Sequence, residues 1–201
     1  MHKSSLRVAT LLAAGALVLT ACGSNDDAAG HMPGMGSSGT MSPDGGMSSQ
    51  ANDADVTFAS DMITHHRQAV EMAQLAATRA ESQAVKDLAA RIESAQGPEI
   101  QTMTGWLRGW GHSVPEEMSG MDMSGSMPGM MSLQDMKMLT GMNGSEFDRK
   151  FLQMMIAHHR GAIEMARTEQ SDGENAEARA LAAQVQKAQT AEIAQMQDLL
   201  S

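Results

Sequence analysis

The chain has 201 residues, a formal net charge of −10, 21 methionines, one cysteine and 2% aromatic residues. An acidic surface of this kind repels nucleic acid and anionic lipid headgroups, and so few rings leave no stacking platform for bases or sugars. A lone cysteine excludes an internal disulfide and any cysteine-built metal cage.

Residues 1–21 read as a signal peptide. Lys3 and Arg7 form a basic start, and Leu11 to Leu19 form an apolar run too short to span a bilayer. Leu19-Thr20-Ala21-Cys22 has the form of a bacterial lipobox, so cleavage before Cys22 and acylation of its thiol are expected. An ordinary secretory signal is the alternative. The mature chain is then extracytoplasmic, held at the cell membrane only by its N-terminal lipid, and its charge without Lys3 and Arg7 is −12. No other stretch is apolar enough to cross a membrane. Residues 22–52 are Gly, Ser, Asp, Pro and Met without periodicity, a flexible tether in which His31, Met32 and Met35 form a soft-ligand tract.

A first helix is expected from Asn52 or Asp53 to about Arg79. At helical spacing, Phe58, Met62, His65, His66, Ala69, Met72 and Ala73 share one arc of about 120°. Arg67 and Glu71 point away. A second helix follows a turn near Glu81-Ser82 and ends at Gly109 to Gly111. Its apolar positions are Val85, Leu88, Ala89, Ile92, Ala95, Ile100, Met103 and Leu107, and Gly97-Pro98 predicts a kink or a restart.

The tract from His112 to about Gly144 is low in complexity and carries nine methionines, Met118 to Met142. Pro115, Pro128 and the glycines argue against regular structure up to Met131. Ser132 then caps a short helix, Leu133 to Thr140, with Leu133, Met136 and Leu139 or Thr140 available to pack. A third long helix begins near Ser145 and ends near Gln170. A fourth runs from about Glu174 to Leu200, with Ala178, Leu181, Ala182, Val185, Ala188, Ile193, Met196 and Leu200 inward.

The third helix repeats the first. Phe151, Met155, His158, His159, Ala162, Met165 and Ala166 each stand 93 residues after their counterparts, and the match runs on without a gap through Leu88/Leu181, Gln96/Gln189, Glu99/Glu192 and Met103/Met196. Two copies of one helical hairpin are therefore expected to form a single bundle over residues 53–201, with the Met-rich loop 112–144 between the halves. One histidine or methionine on an apolar helix face is ordinarily core material. Four matched histidines are different, because each buried imidazole has two nitrogens to satisfy and the stripe offers few partners apart from the rings themselves or a metal.

The donors are imidazole nitrogen and thioether sulfur. They suit copper, Cu(I) above all, or Ag(I), and suit Mg²⁺ or Ca²⁺ poorly. The expected ligands are Met62, His65, His66, Met72, Met155, His158, His159 and Met165, with Met103 and Met196 approaching from the neighbouring helices. The Met-rich tracts would capture and pass on Cu(I), with copper donor or acceptor proteins as the partners. No nucleophile or general-base constellation is visible, so a binding protein is expected rather than an enzyme. A copper or other metal-dependent oxidase and a metal-free structural lipoprotein are the alternatives.

His65-His66-x-x-Ala69-x-x-Met72-Ala73 and its second copy, together with Phe147-Asp148-x-x-Phe151-x-x-x-Met155-Ile156, resemble the signature of domain-of-unknown-function family 305 over roughly residues 53 to 200. The resemblance implies an all-α, ferritin-like four-helix bundle in exported bacterial proteins, some associated with copper binding and resistance. A di-iron carboxylate site does not follow. Glu71 and Glu164 lie opposite the histidines, and no Glu-x-x-His occurs.

Overall fold

The computed structural model describes residues 51–116 and 127–201. The signal peptide, Cys22, nearly all of the tether, and Met118, Met121 and Met123 lie outside the described residues. Five helices follow in order: α1 (Asp53–Arg79), α2 (Gln83–Gly109), α3 (Leu133–Gly141), α4 (Gly144–Asp172) and α5 (Ala176–Leu200). Among the described residues there is no strand, and no helix is long and apolar enough to cross a membrane.

Local chemistry sets the ends. Asn52 and Asp55 form a reciprocal cap at α1, with the Asn52 side chain accepting from the Ala54 and Asp55 N–H groups and Asp55 accepting from the Asn52 N–H. Ser132 caps α3 and Asn175 caps α5 through their side chains. The cap of α4 is Asn143, two residues before the expected Ser145. The helix α2 runs without a restart through Pro98. Pro98 and Ser94, whose carbonyl loses its donor, are both on the exposed face, where water can take up the orphaned group.

The helix α1 packs on α2, α4 packs on α5, and α1 meets α4 to join the hairpins. Two apolar clusters result. One gathers Met72, Leu88, Ile92, Met136, Leu139, Phe147, Phe151, Met155 and Met196, and the other gathers Phe58, Met62, Met103, Leu107, Ala162, Ala166 and Val185. Ala95 and Ala188, expected inward, are exposed, as are Leu133 and Leu200. Gln96 and Gln189 are buried in their region of the helix faces. The apolar pattern thus misplaced the centre of both outer stripes, because the inward positions there are polar.

Each hairpin turn is tied to the other hairpin in the same way. Asp55 accepts from the Glu174 and Asn175 N–H groups, and Asp148, its repeat, accepts from those of Glu81 and Ser82. The duplication breaks at Glu169, whose counterpart is Ala76. Glu169 is buried, and neither of its oxygens accepts a hydrogen bond. It can pair with Asp55 only by donating its own proton. Burial, followed by Asp55 itself, pushes the Glu169 carboxyl up to about 8. Asp55 is pushed up by burial too, but its backbone donors and Glu169 hold it below the usual carboxylate value. The folded chain therefore keeps a proton on Glu169 that the unfolded chain releases near its ordinary value, and stability should fall as pH rises from about 4.5 to about 8. Glu169→Gln keeps a donor for Asp55 and cannot titrate. Thermal melts across that range should show a clearly flatter decline for the variant, with its largest advantage at the alkaline end.

Candidate metal centre

The histidines lie between the two apolar clusters. Along α1, Met62 belongs to one cluster and Ala69 and Met72 to the other, with His65 and His66 between them. Along α4 the order is reversed: Met155, then His158 and His159, then Ala162 and Ala166. The two helices thus lie antiparallel, crossing at their histidine pairs. On α2 and α5, Gln96 and Glu99, and Gln189 and Glu192, fall at the same level. The result is a polar layer drawn from all four long helices.

All four imidazoles have 0% exposure. His65 and His158 meet ring to ring, with centroids 3.7 Å apart and planes tilted by 39°. His66 and His159 turn instead to the neighbouring helix of their own hairpin. His66 Nε2 lies 2.7 Å from Glu99 Oε2, and His159 Nε2 lies 2.6 Å from Glu192 Oε2. These matched pairs correct the expectation that the stripe holds few partners for its rings. The carboxylates come from α2 and α5, although Glu71 and Glu164 are exposed as expected. Their signal was present as the repeated Gln-x-x-Glu at 96–99 and 189–192, a polar i, i+3 pair on an otherwise apolar face.

The first histidine has a different partner. His65 Nε2 donates to the Pro128 carbonyl at 3.0 Å, since a carbonyl only accepts. Three Nε2 atoms are therefore engaged. The Nδ1 atoms of His65, His66, His158 and His159 are all buried without a hydrogen bond, as is His158 Nε2. Gln96 and Gln189 also leave side-chain atoms unpaired in this layer. Burial, with the neighbouring imidazoles His66 and His159 adding to it, brings His65 down to about 3. Burial likewise holds His158 well below the usual imidazole value, with His65 the next cause. Both rings are neutral throughout the physiological range, which is the form that binds a metal.

The six expected methionine ligands divide around this layer. Met72, Met155 and Met196 are in one cluster, and Met62, Met103 and Met165 are in or against the other. The structure thus brings His65 and His158 together and places three thioether-bearing residues on either side, rather than converging all ten donors on one point. Among the described residues, no group of three or more His, Cys, Asp or Glu side chains is arranged to hold a metal ion. That arrangement does not fit an ion demanding several nitrogen or oxygen ligands at once. The donor types present, imidazole nitrogen and thioether sulfur, are those that suit a soft ion.

The profile of a family described as a domain of unknown function, DUF305, matches residues 55–200. No curated protein matches the chain. Among solved structures, the chain is similar to a DUF305 protein of Streptomyces coelicolor, at 35% identity over 73% of this chain and 91% of that one, with a TM-score of 0.67. It is similar to a DUF305 fragment of Deinococcus radiodurans at 30% identity over 75% of this chain and 97% of that one, with a TM-score of 0.67. It is also similar to CopM in its Cu(II)-bound form, at 34% identity over 73% of this chain and 95% of that one, with a TM-score of 0.63. CopM has also been solved in Cu(I)-bound and silver-bound forms.

Proposed function

The chain belongs to the DUF305 family, and from that premise we propose that it is an extracytoplasmic copper-binding protein that holds Cu(I) in the histidine layer and buffers it or delivers it to a partner. The observation that carries this reading is the set of four buried Nδ1 atoms with no hydrogen bond. A buried nitrogen lone pair without a donor is costly, and a metal would satisfy it. In metal sites the ligating imidazole commonly gives its other N–H to a carboxylate or a backbone carbonyl, which fixes the ring and raises its basicity. Glu99, Glu192 and Pro128 stand in that relation to His66, His159 and His65. CopM, with copper and silver bound in structures similar to this one, supports the metal class.

The thioethers of Met62, Met103 and Met165 on one side, and of Met72, Met155 and Met196 on the other, complete a soft donor set. Lipid attachment through Cys22 would keep the bundle at the outer face of the membrane, and the relative classed as secreted supports export. An enclosed layer suits holding an ion better than turning over a substrate, so we read the chain as a binding protein and not an oxidase.

The test is titration of the full chain with Cu(I) against a competing chelator. Replacing all four motif histidines should abolish bundle binding. Glu99→Gln with Glu192→Gln should lower affinity by about tenfold to a hundredfold, the usual effect of losing an outer partner of a ligating histidine. Unchanged stoichiometry and affinity in the four-histidine variant would overturn the reading.

A further inference from the structure

The short segment Met127–Met131 is the only part of the described central loop that reaches an imidazole nitrogen, through the Pro128 carbonyl on His65 Nε2. It is seated by residues of both hairpins. From α1, the Gln68 side chain makes a two-way clamp, its Nε2 donating to the Met131 carbonyl at 2.9 Å and its Oε1 accepting from the Met131 N–H at 2.8 Å. From α4, Gly161 supplies a gap. A Cβ at Gly161 would overlap the Pro128 carbonyl. Gly129 lies against the same stretch of α4 with φ +78°, where a Cβ would come 2.7 Å from the Ala157 carbonyl oxygen.

Gln68 and Gly161 are the same position in the two copies of the motif, 93 residues apart. His65, His66, Ala69, Met72 and Ala73 agree with their counterparts in the second copy, and this position does not. Its two residues do opposite things for one segment: the first grips it and the second makes room for it. The duplication diverged where the strap is laid.

We propose that the Met127–Met131 strap is the port of the histidine layer, so that an ion reaches and leaves the His65–His158 pair only when the strap lifts, with Gln68 and Gly161 as the positioning residues that hold it shut. The inference rests on the function proposed above only in taking that pair as the ion's destination. The physical case is one of relative cost. Among the described residues, the other cover over the rings is helix, whose displacement would break backbone ladders and open an apolar cluster. The strap is held by the Gln68 clamp, the His65 bond and the burial of Met127, and Met127, Met130 and Met131 are thioether carriers on the moving piece itself. Lifting it also frees His65 Nε2.

The experiment uses the full chain loaded with Cu(I) and mixed with an excess of a chromogenic Cu(I) chelator, alongside an equilibrium titration and amide exchange of residues 127–131. Gln68→Ala removes the clamp, and Gly161→Ala pushes the strap off α4. Both should raise strap exchange and speed copper release, Gln68→Ala by about tenfold or more, the factor expected from losing two hydrogen bonds. The equilibrium affinity should move far less, since uptake accelerates in parallel. Gln68 is only partly buried, so its variant tests the proposal even if Gly161→Ala does not fold. Faster strap exchange with unchanged release in Gln68→Ala would overturn the port while leaving the copper site standing. A wild-type chain that takes up no Cu(I) in the titration would instead overturn the site itself.

Discussion

With His65 and His158 both replaced by leucine, the metal-free protein should melt no lower than the wild type, yet it should gain nothing from Cu(I). The two rings bring three buried nitrogens with no hydrogen bond into the centre of the bundle. Each such group costs about 1–3 kcal/mol relative to a satisfied one. Leucine fills a similar volume with no polar atom, so the loss of the His65–Pro128 bond should be offset. The wild type behaves differently once copper is added. A ligand present at about a hundred times its dissociation constant stabilises the folded state by about 2.7 kcal/mol, or about 8 °C in Tm for a domain of this size. Paired melts with and without Cu(I) check both halves. If the imidazoles serve only to knit the core, the double variant melts several degrees lower and neither protein responds to the metal. That outcome would favour a structural lipoprotein, and the lack of a ready-made three-ligand group of His, Cys, Asp or Glu among the described residues is the observation on its side.

Asp55→Ala should cost the fold far more than the same change at its repeat, Asp148. Asp55 is fully buried and accepts from three backbone N–H groups, at 2.7 Å from Asn52, 2.9 Å from Asn175 and 3.3 Å from Glu174. Its loss strips half of the α1 cap, unties the α4–α5 turn from α1 and leaves Glu169 without the acceptor for its proton. Three donors orphaned in or near the interior amount to roughly 3 kcal/mol or more, a large share of the total stability of a domain. Asp148 is only partly buried, accepts from two N–H groups and has no buried acid beside it. Its replacement should cost about 1 kcal/mol. Chemical denaturation of the two variants measures the difference. Equal costs would mean that the turn contacts carry the effect and that Glu169 adds nothing.

Much of this molecule is written in local pattern. The starts expected at Asn52 and Ser132 are the observed caps of α1 and α3, and the end expected near Gln170 and the start expected near Glu174 fall within two residues of the observed ones, because capping is decided over about four residues of chain. The inward faces of α1 and α4 were legible because His65, His66, Met62 and Met72 obey a strong helical period. The faces of α2 and α5 were less so. Hydrophobic periodicity assigns Gln96, Glu99, Gln189 and Glu192 to solvent, and only a partner helix with unsatisfied nitrogens makes it favourable to bury or half-bury them.

Residue spacing alone was enough to reveal the duplication, the four amphipathic helices and the concentration of soft donors on two of them. All of these depend on intervals along one chain, and helical geometry converts an interval into a face without reference to anything else. What those donors meet came from the packing of the helices. The crossing of α1 and α4 placed His65 against His158 and kept the methionines in separate layers, and packing within each hairpin brought Glu99 and Glu192 to the remaining rings. It also showed the use of an unmatched position, Gln68 and Gly161, beneath the strap. Such contacts join residues tens of positions apart, and their distances follow from how side chains interlock between helices, which no periodicity within a helix encodes.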